Sequence, residues 1–203
     1  MRKVLFLIAA FSLVLLTAAG AYAQQFDLAF GVGTVTGQSA SDAFSNLNDH
    51  TPQSIGGGGY PAFSGDFLFF KKYMGVGGEV AWRGHQNVDI FFNPYRPIFY
   101  DFNAVLAPPI GKRAQAELQG GIGVESLRFY QPFFTCSFTG CTNFQSSNHF
   151  LGHVGGGLRF YVTNSIFIRP EAHFYFVRNN FEFSGPRVQR FGVSVGYSLK
   201  NRE

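Results

Sequence analysis

Glu79, Arg83, Glu117, Arg159, Arg169 and Glu171 are the residues of this chain best placed to do chemistry together. Each sits among residues that alternate polar with apolar, on the polar side of the alternation. Side chains two apart on a strand share a face, so adjacent strands would gather these six into one ion-pair cluster. Two outcomes are open for such a cluster. It can fill an interior with charges that need partners to be buried, or it can form the gate or selectivity filter of a narrow pore. His153, His173, Glu171 and Ser194 share the same face and supply the groups of a hydrolase, but neither a Gly-x-Ser-x-Gly elbow nor a His-x-Ser-Asn arrangement is present. Interior histidines bonded to a carboxylate are the plainer reading. His149 and His153 are only two ligands, and no free thiolate joins them, so no metal or other cofactor is expected. Cys136 and Cys141, with Gly140 between them, are expected to form a disulfide in an exported chain. So short a ring constrains its loop by roughly 2 kcal/mol. Phe133, Phe134, Phe138 and Phe144 around it would form a binding surface for an extracellular ligand, or fold back over whatever lies beneath.

Eight stretches of period-two alternation are needed to position these groups. The last is the clearest: Phe191, Val193, Val195, Tyr197 and Leu199 on one parity, Arg190, Gly192, Ser194, Gly196 and Ser198 on the other. Before it come Phe26–Val32, Phe63–Phe69, Val76–Arg83, Ile98–Leu106, Ala114–Glu125, Phe150–Val162 and Ile166–Phe176. The connections alternate in length. Long ones cover Gln38–Gly59, His85–Pro97, Phe129–Asn148 and Arg178–Pro186, while Lys71–Gly75, Pro108–Lys112 and Thr163–Ser165 are tight. In an up-and-down arrangement all long loops gather at one end and all tight turns at the other. Pro170 falls inside the seventh stretch and lacks a ladder donor, which predicts a bulge there.

Residues 1–23 read as a signal peptide, with Arg2 and Lys3, an apolar run from Val4 to Leu16, and a small-x-small site at Ala21–Ala23. One domain, 24–203, is expected to follow. Arg2 and Lys3 are two of the 16 basic residues, and the rest nearly balance 12 acidic ones, so nucleic acid is not an expected partner. Charged residues are 14% of the chain, against roughly 25% in soluble domains. Phenylalanine and glycine are the commonest residues, at 26 and 25. No later segment approaches the roughly 20 apolar residues of a spanning helix, which leaves a closed barrel as the way to satisfy this backbone in lipid.

Alternation alone also fits a soluble lipocalin-like barrel. The polar face separates the two, because here it carries glycine, serine and a few charges of both signs: Asp66, Glu79, Arg83, Asp101, Glu117, Glu125, Arg159, Arg169 and Glu171. That suits a packed interior rather than a face turned to water. Tyr73, Tyr100, Tyr130, Phe160, Tyr161 and Tyr197 lie near strand ends and would supply interfacial belts. Arg190, Gly192, Val195 and Tyr197 follow the order polar, Gly, apolar, apolar of a closing-strand signal. With that signal and the eight-strand pattern over Gln25–Leu199, the chain resembles the small eight-stranded bacterial outer-membrane barrels of the OmpA transmembrane-domain and OmpX type. Members usually finish on an aromatic, whereas Leu199 here is followed by Lys200–Glu203.

The resemblance implies an all-β, eight-stranded antiparallel up-and-down transmembrane barrel with four long extracellular loops and short periplasmic turns. It implies placement in the outer membrane, with outer-membrane lipid and the barrel-assembly machinery as partners. A second, peptidoglycan-binding domain is not expected after the barrel. The expected role is structural or surface-contacting and non-enzymatic. A narrow OmpW-like pore for small solutes is the alternative, followed by a lipid-modifying enzyme and a soluble binder.

Overall fold

The computed structural model describes residues 25–37, 55–88, 94–137, 140–178 and 186–200. The expected signal peptide and most of the first long connection lie outside them. The strands are β1 (Gln25–Gly37), β2 (Gly59–Phe70), β3 (Met74–Trp82), β4 (Asn87–Val88), β5 (Pro94–Leu106), β6 (Pro109–Gly111), β7 (Ala114–Ser137), β8 (Gly140–Tyr161), β9 (Ile166–Val177) and β10 (Arg187–Lys200). Short β4 and β6 are annexes to β5 and β7. The other eight pair antiparallel with their neighbours along the chain, and β10 returns to β1 in unbroken register from Gln25↔Lys200 to Gly37↔Val188. The sheet is therefore an eight-stranded barrel with no free edge along its wall.

The alternation read from the sequence sets inside and outside. Phe102 is 61% exposed and Leu118 60%, whereas Arg159 is 0% exposed and Arg169 and Arg190 are 1%. Every carboxylate among the described residues is buried. A soluble barrel has the opposite distribution, and this one presents an outward apolar band. Tyr73, Tyr100, Phe160 and Tyr197 face outward as expected, but Tyr161 does not. Its hydroxyl donates to Gln115 Oε1 at 2.9 Å and lies 3.3 Å from the Ser198 hydroxyl, inside the tight-turn end of the lumen. Tyr161 belongs to the inward parity of β8, one residue from outward Phe160.

Inward glycines make room for what the lumen holds. A Cβ on Gly155 would lie 2.7 Å from His173 Nδ1 and 2.9 Å from His153 Nε2, and one on Gly77 would meet the Asp66 carboxylate. On the seam, Gly33 faces Gly192, and a Cβ on either would press into the other strand's backbone.

Two further sequence expectations change. Pro170 causes no bulge. It pairs in register with Val193, and the β8–β9 register is the same on either side, Gly157↔Glu171 and Phe160↔Ile168. Only the ladder to β8 lapses between those pairs, which is all that a missing amide hydrogen requires. The third long connection is mostly strand. β7 and β8 continue past the wall as a hairpin through Tyr130↔Phe144 and Cys136↔Cys141, with a register shift between Tyr130 and Thr135.

The turn at Phe70–Tyr73 puts two non-glycine residues in the left-handed region, Lys71 at φ 49° and Lys72 at φ 62°, closed by Tyr73 N donating to Phe70 O at 2.8 Å. That geometry favours Asn-Gly, and a residue with a Cβ there costs about 1 kcal/mol or more. Lys71→Asn with Lys72→Gly is expected to stabilise the folded barrel by about 1 kcal/mol, read as a higher midpoint in urea unfolding from lipid vesicles.

Candidate functional site

The lumen is layered. Toward the tight-turn end β8 presents Arg159, whose Nη2 donates to Asp66 at 2.8 Å while Nη1 and Nε donate to Asp27 and Glu117. β9 presents Arg169, which donates to Glu117 at 2.7 Å, Glu171 at 2.8 Å, Ser64 at 2.9 Å and Ser194 at 3.1 Å. β10 adds Arg190, bonded to Glu79 and lying 3.4 Å from Glu171. Asp101, Asn103, His153 and His173 complete the layer. Three guanidiniums thus pair with five carboxyl groups, Asp27, Asp66, Glu79, Glu117 and Glu171, and a sixth, Asp101, is buried beside them. An ion buried alone costs several kcal/mol, so the multiple hydrogen bonds on each guanidinium are what make the layer tolerable.

The histidines form a directed chain. Asn103 Nδ2 donates to Asp101, which leaves Asn103 Oδ1 as the acceptor for His153 Nδ1–H at 2.7 Å. His153 Nε2 then accepts from His173 Nδ1–H at 2.9 Å, with the two rings stacked at 5.0 Å. His173 Nε2 faces Glu171 Oε1 at 3.7 Å.

Above this layer the lumen is mostly aromatic and aliphatic, with the buried Glu125 in register with Phe99 among it. Phe99 and Tyr175 stack at 4.9 Å, with Tyr60 tilted against Phe99, and Tyr95, Leu127 and Val188 pack around them. The Tyr175 hydroxyl donates down to Glu79 at 3.3 Å and joins the two layers.

Of the six residues expected to cluster, five do: Glu79, Glu117, Arg159, Arg169 and Glu171. Arg83 does not. It stands four residues beyond Glu79 on the inward parity, about 13 Å up the strand at the usual rise, and its guanidinium packs where a Cβ on Gly58 would sit. Asp27, Asp66, Asp101 and Arg190 were the missing members. Their parity was legible, but not their height. Arg190 was singled out only as part of the closing-strand signal, and its side chain faces inward, while Val195 and Tyr197 of that signal face out, 55% and 50% exposed. Gly192 lies on the seam opposite Gly33.

The hydrolase constellation does not assemble. The Ser194 hydroxyl lies 3.0 Å from Glu171 Oε2 and 3.4 Å from the Arg169 carbonyl as a donor and accepts from the Arg169 guanidinium; neither histidine is among its described partners, so the Ser–His pair of a hydrolase is not formed. His149 sits by Ser147 at 3.1 Å, away from the His153 chain. One trio, Glu79, Glu171 and His173, brings ligand atoms within 4.8 Å of one another. Arg190 Nη2 already bridges its two glutamates and supplies the positive charge a metal would bring. Cys136 and Cys141 are joined as a disulfide across the hairpin tip.

A closed eight-stranded wall with lipid-suited residues outside and an ion-paired interior is the architecture of a small outer-membrane-type barrel. No family model matches the chain, and no characterised protein matches it in sequence. Solved structures with this fold do. The Yersinia pestis attachment invasion locus protein Ail, solved with the heparin analogue sucrose octasulfate, superposes with TM-score 0.54 at 13% identity, over 88% of this chain and 100% of that one. Neisserial surface protein A gives 0.58 at 7% identity over 86% and 96%, and a major outer-membrane protein of Thermus thermophilus gives 0.54 at 11% over 88% and 100%. The likeness is one of fold.

Proposed function

We propose that this chain is an exported, integral outer-membrane barrel whose role is to display a surface hairpin, with a lumen that neither conducts nor catalyses. The observation that carries the reading is the stacked Phe99–Tyr175 layer closing the lumen over an ionic layer bonded to itself. Side chains already fill the route that ions or a solute would take, as is usual for barrels of eight strands. The β7–β8 hairpin is the part with surface to offer. Phe133 and Phe134 are 62% and 70% exposed near its tip, which the disulfide pins shut. Ail, the attachment invasion locus protein that shares the fold, is seen in complex with a heparin analogue, which supports a ligand-contacting role. Signal-peptide cleavage after Ala23 and recognition of the closing strand by the barrel-assembly machinery complete the proposal. Outward Val195, Tyr197 and Leu199 on a sheet-closing strand support the latter.

Planar-bilayer recording and protease shaving of intact cells test it together. No conductance steps are expected, and cleavage is expected within 131–145 with the wall strands protected. Steady unitary steps would overturn the closed lumen, and a protected hairpin would overturn surface display. Cys136→Ser with Cys141→Ser is expected to speed that cleavage several-fold while leaving the wall intact, because a short ring acts locally.

A further inference from the structure

Resting on the membrane placement above, we infer that Arg96 and Arg128 form a binding site for the phosphate of an outer-leaflet lipid headgroup. The two are direct cross-strand partners on β5 and β7, on the outward parity. Like charges placed directly opposite are destabilising unless something anionic joins them. Nothing anionic in the described protein does, because every described carboxylate is buried on the inward parity. Arg96 Nη2 reaches only the Gly84 carbonyl, at 3.5 Å, and the Nε–H of both arginines is buried with no acceptor among the described residues.

The pair is also held in place. Arg96 lies over the Tyr130 ring at 5.9 Å and Arg128 over the Phe144 ring at 4.8 Å, and those rings lean on each other at 5.9 Å. Stacking fixes a guanidinium plane and leaves its edge to bind an oxyanion by paired hydrogen bonds. Depth selects the ligand. The outward apolar run ends at Val124 on β7 and Phe150 on β8, register partners 39% and 54% exposed, and beyond them the outward face of β8 turns to Asn148 and Ser146. Arg128 stands four residues past Val124, which for a strand tilted about 45° is roughly 9 Å outside the hydrocarbon edge. That is headgroup depth, on the side of the wall that lipid touches. A soluble polyanion would approach from above, along the loops. Arg178 and Arg187, exposed at the same rim beside β9 and β10, extend the cationic band.

The test uses the full mature protein folded in zwitterionic micelles and reads the thermal midpoint of the heat-resistant band on unboiled gels. The probes are bisphosphorylated lipid A, the same lipid dephosphorylated, inorganic phosphate and sucrose octasulfate. Bisphosphorylated lipid A is expected to raise the midpoint and the dephosphorylated lipid not to. Arg96→Gln with Arg128→Gln is expected to weaken the response at least tenfold without lowering the midpoint of the lipid-free protein. Should that variant fold poorly, Arg96→Lys with Arg128→Lys keeps the charge and loses the paired geometry, and an intermediate response is expected. Equal protection by dephosphorylated lipid, or a wild-type response from both variants, overturns the site. Protection by inorganic phosphate at matched concentration moves the site to a free anion, and protection by the octasulfate moves it to a glycan; either overturns the lipid assignment. Heat-resistant folding in micelles without any probe reports the membrane placement separately, so loss of phosphate selectivity counts against the site alone.

Discussion

Arg159→Met is expected to lower the unfolding free energy by about 3–5 kcal/mol, the usual cost of removing one partner from a buried ion pair. Asp27, Asp66 and Glu117 all converge on this one guanidinium, and Asp27 has no other arginine among its described ion pairs. The converse substitution is expected to be mild. The layer holds six carboxyls and three guanidiniums, so it is short of positive charge and in surplus of negative. Asp101 is the surplus member: its Oδ2 is buried without a hydrogen-bond partner, and its one described ion-pair neighbour is His153 Nδ1, at 3.7 Å, on an imidazole that the hydrogen-bond chain leaves neutral. Asp101→Asn is therefore expected to be neutral or slightly stabilising. Urea midpoints of refolded protein in vesicles measure both variants. Similar losses from the two would show that each charge matters equally and that the sign imbalance does not.

Phe99→Ala and Tyr175→Ala are each expected to cost about 3–5 kcal/mol, the range for truncating a buried aromatic. Their rings stack at 4.9 Å, so the second truncation should cost less than the first, with a coupling of roughly 0.5–1.5 kcal/mol. Tyr175→Phe separates ring from hydroxyl. It removes only the bond to Glu79 and is expected to cost about 1 kcal/mol. Where the double variant still folds, it is also the one in which bilayer recordings should first find conductance. A folded double variant as silent as the parent would place the seal in the ionic layer.

Parity was readable along the chain because a two-residue repeat survives any context in which one face meets lipid and the other a crowded interior. Glu79, Glu117, Arg159, Arg169 and Glu171 could be grouped on that ground alone. Height could not be read. Which inward residues meet depends on the stagger of neighbouring strands, fixed by the ring as a whole, so Arg83 shares a face with Glu79 yet packs a level higher, while Asp27 arrives from across the closing seam. The hairpin failed for another reason. Around Gln131–Phe134 both faces leave the wall, no buried side enforces alternation, and the sequence looks like loop although β7 runs on to Ser137. Pro170 misled because a proline costs a strand one hydrogen bond and need not cost it its register.

The partners in the ionic layer are remote along the chain: Arg159 is 132 residues from Asp27 and 93 from Asp66, and Arg190 is 111 from Glu79. Contacts of such long range form slowly and late. A half-built sheet would hold three guanidiniums with their counter-ions still elsewhere, and such a sheet cannot enter hydrocarbon without water around them. In the membrane setting proposed above, insertion and ring closure would therefore advance together, with the first and last strands meeting before the charges give up their hydration.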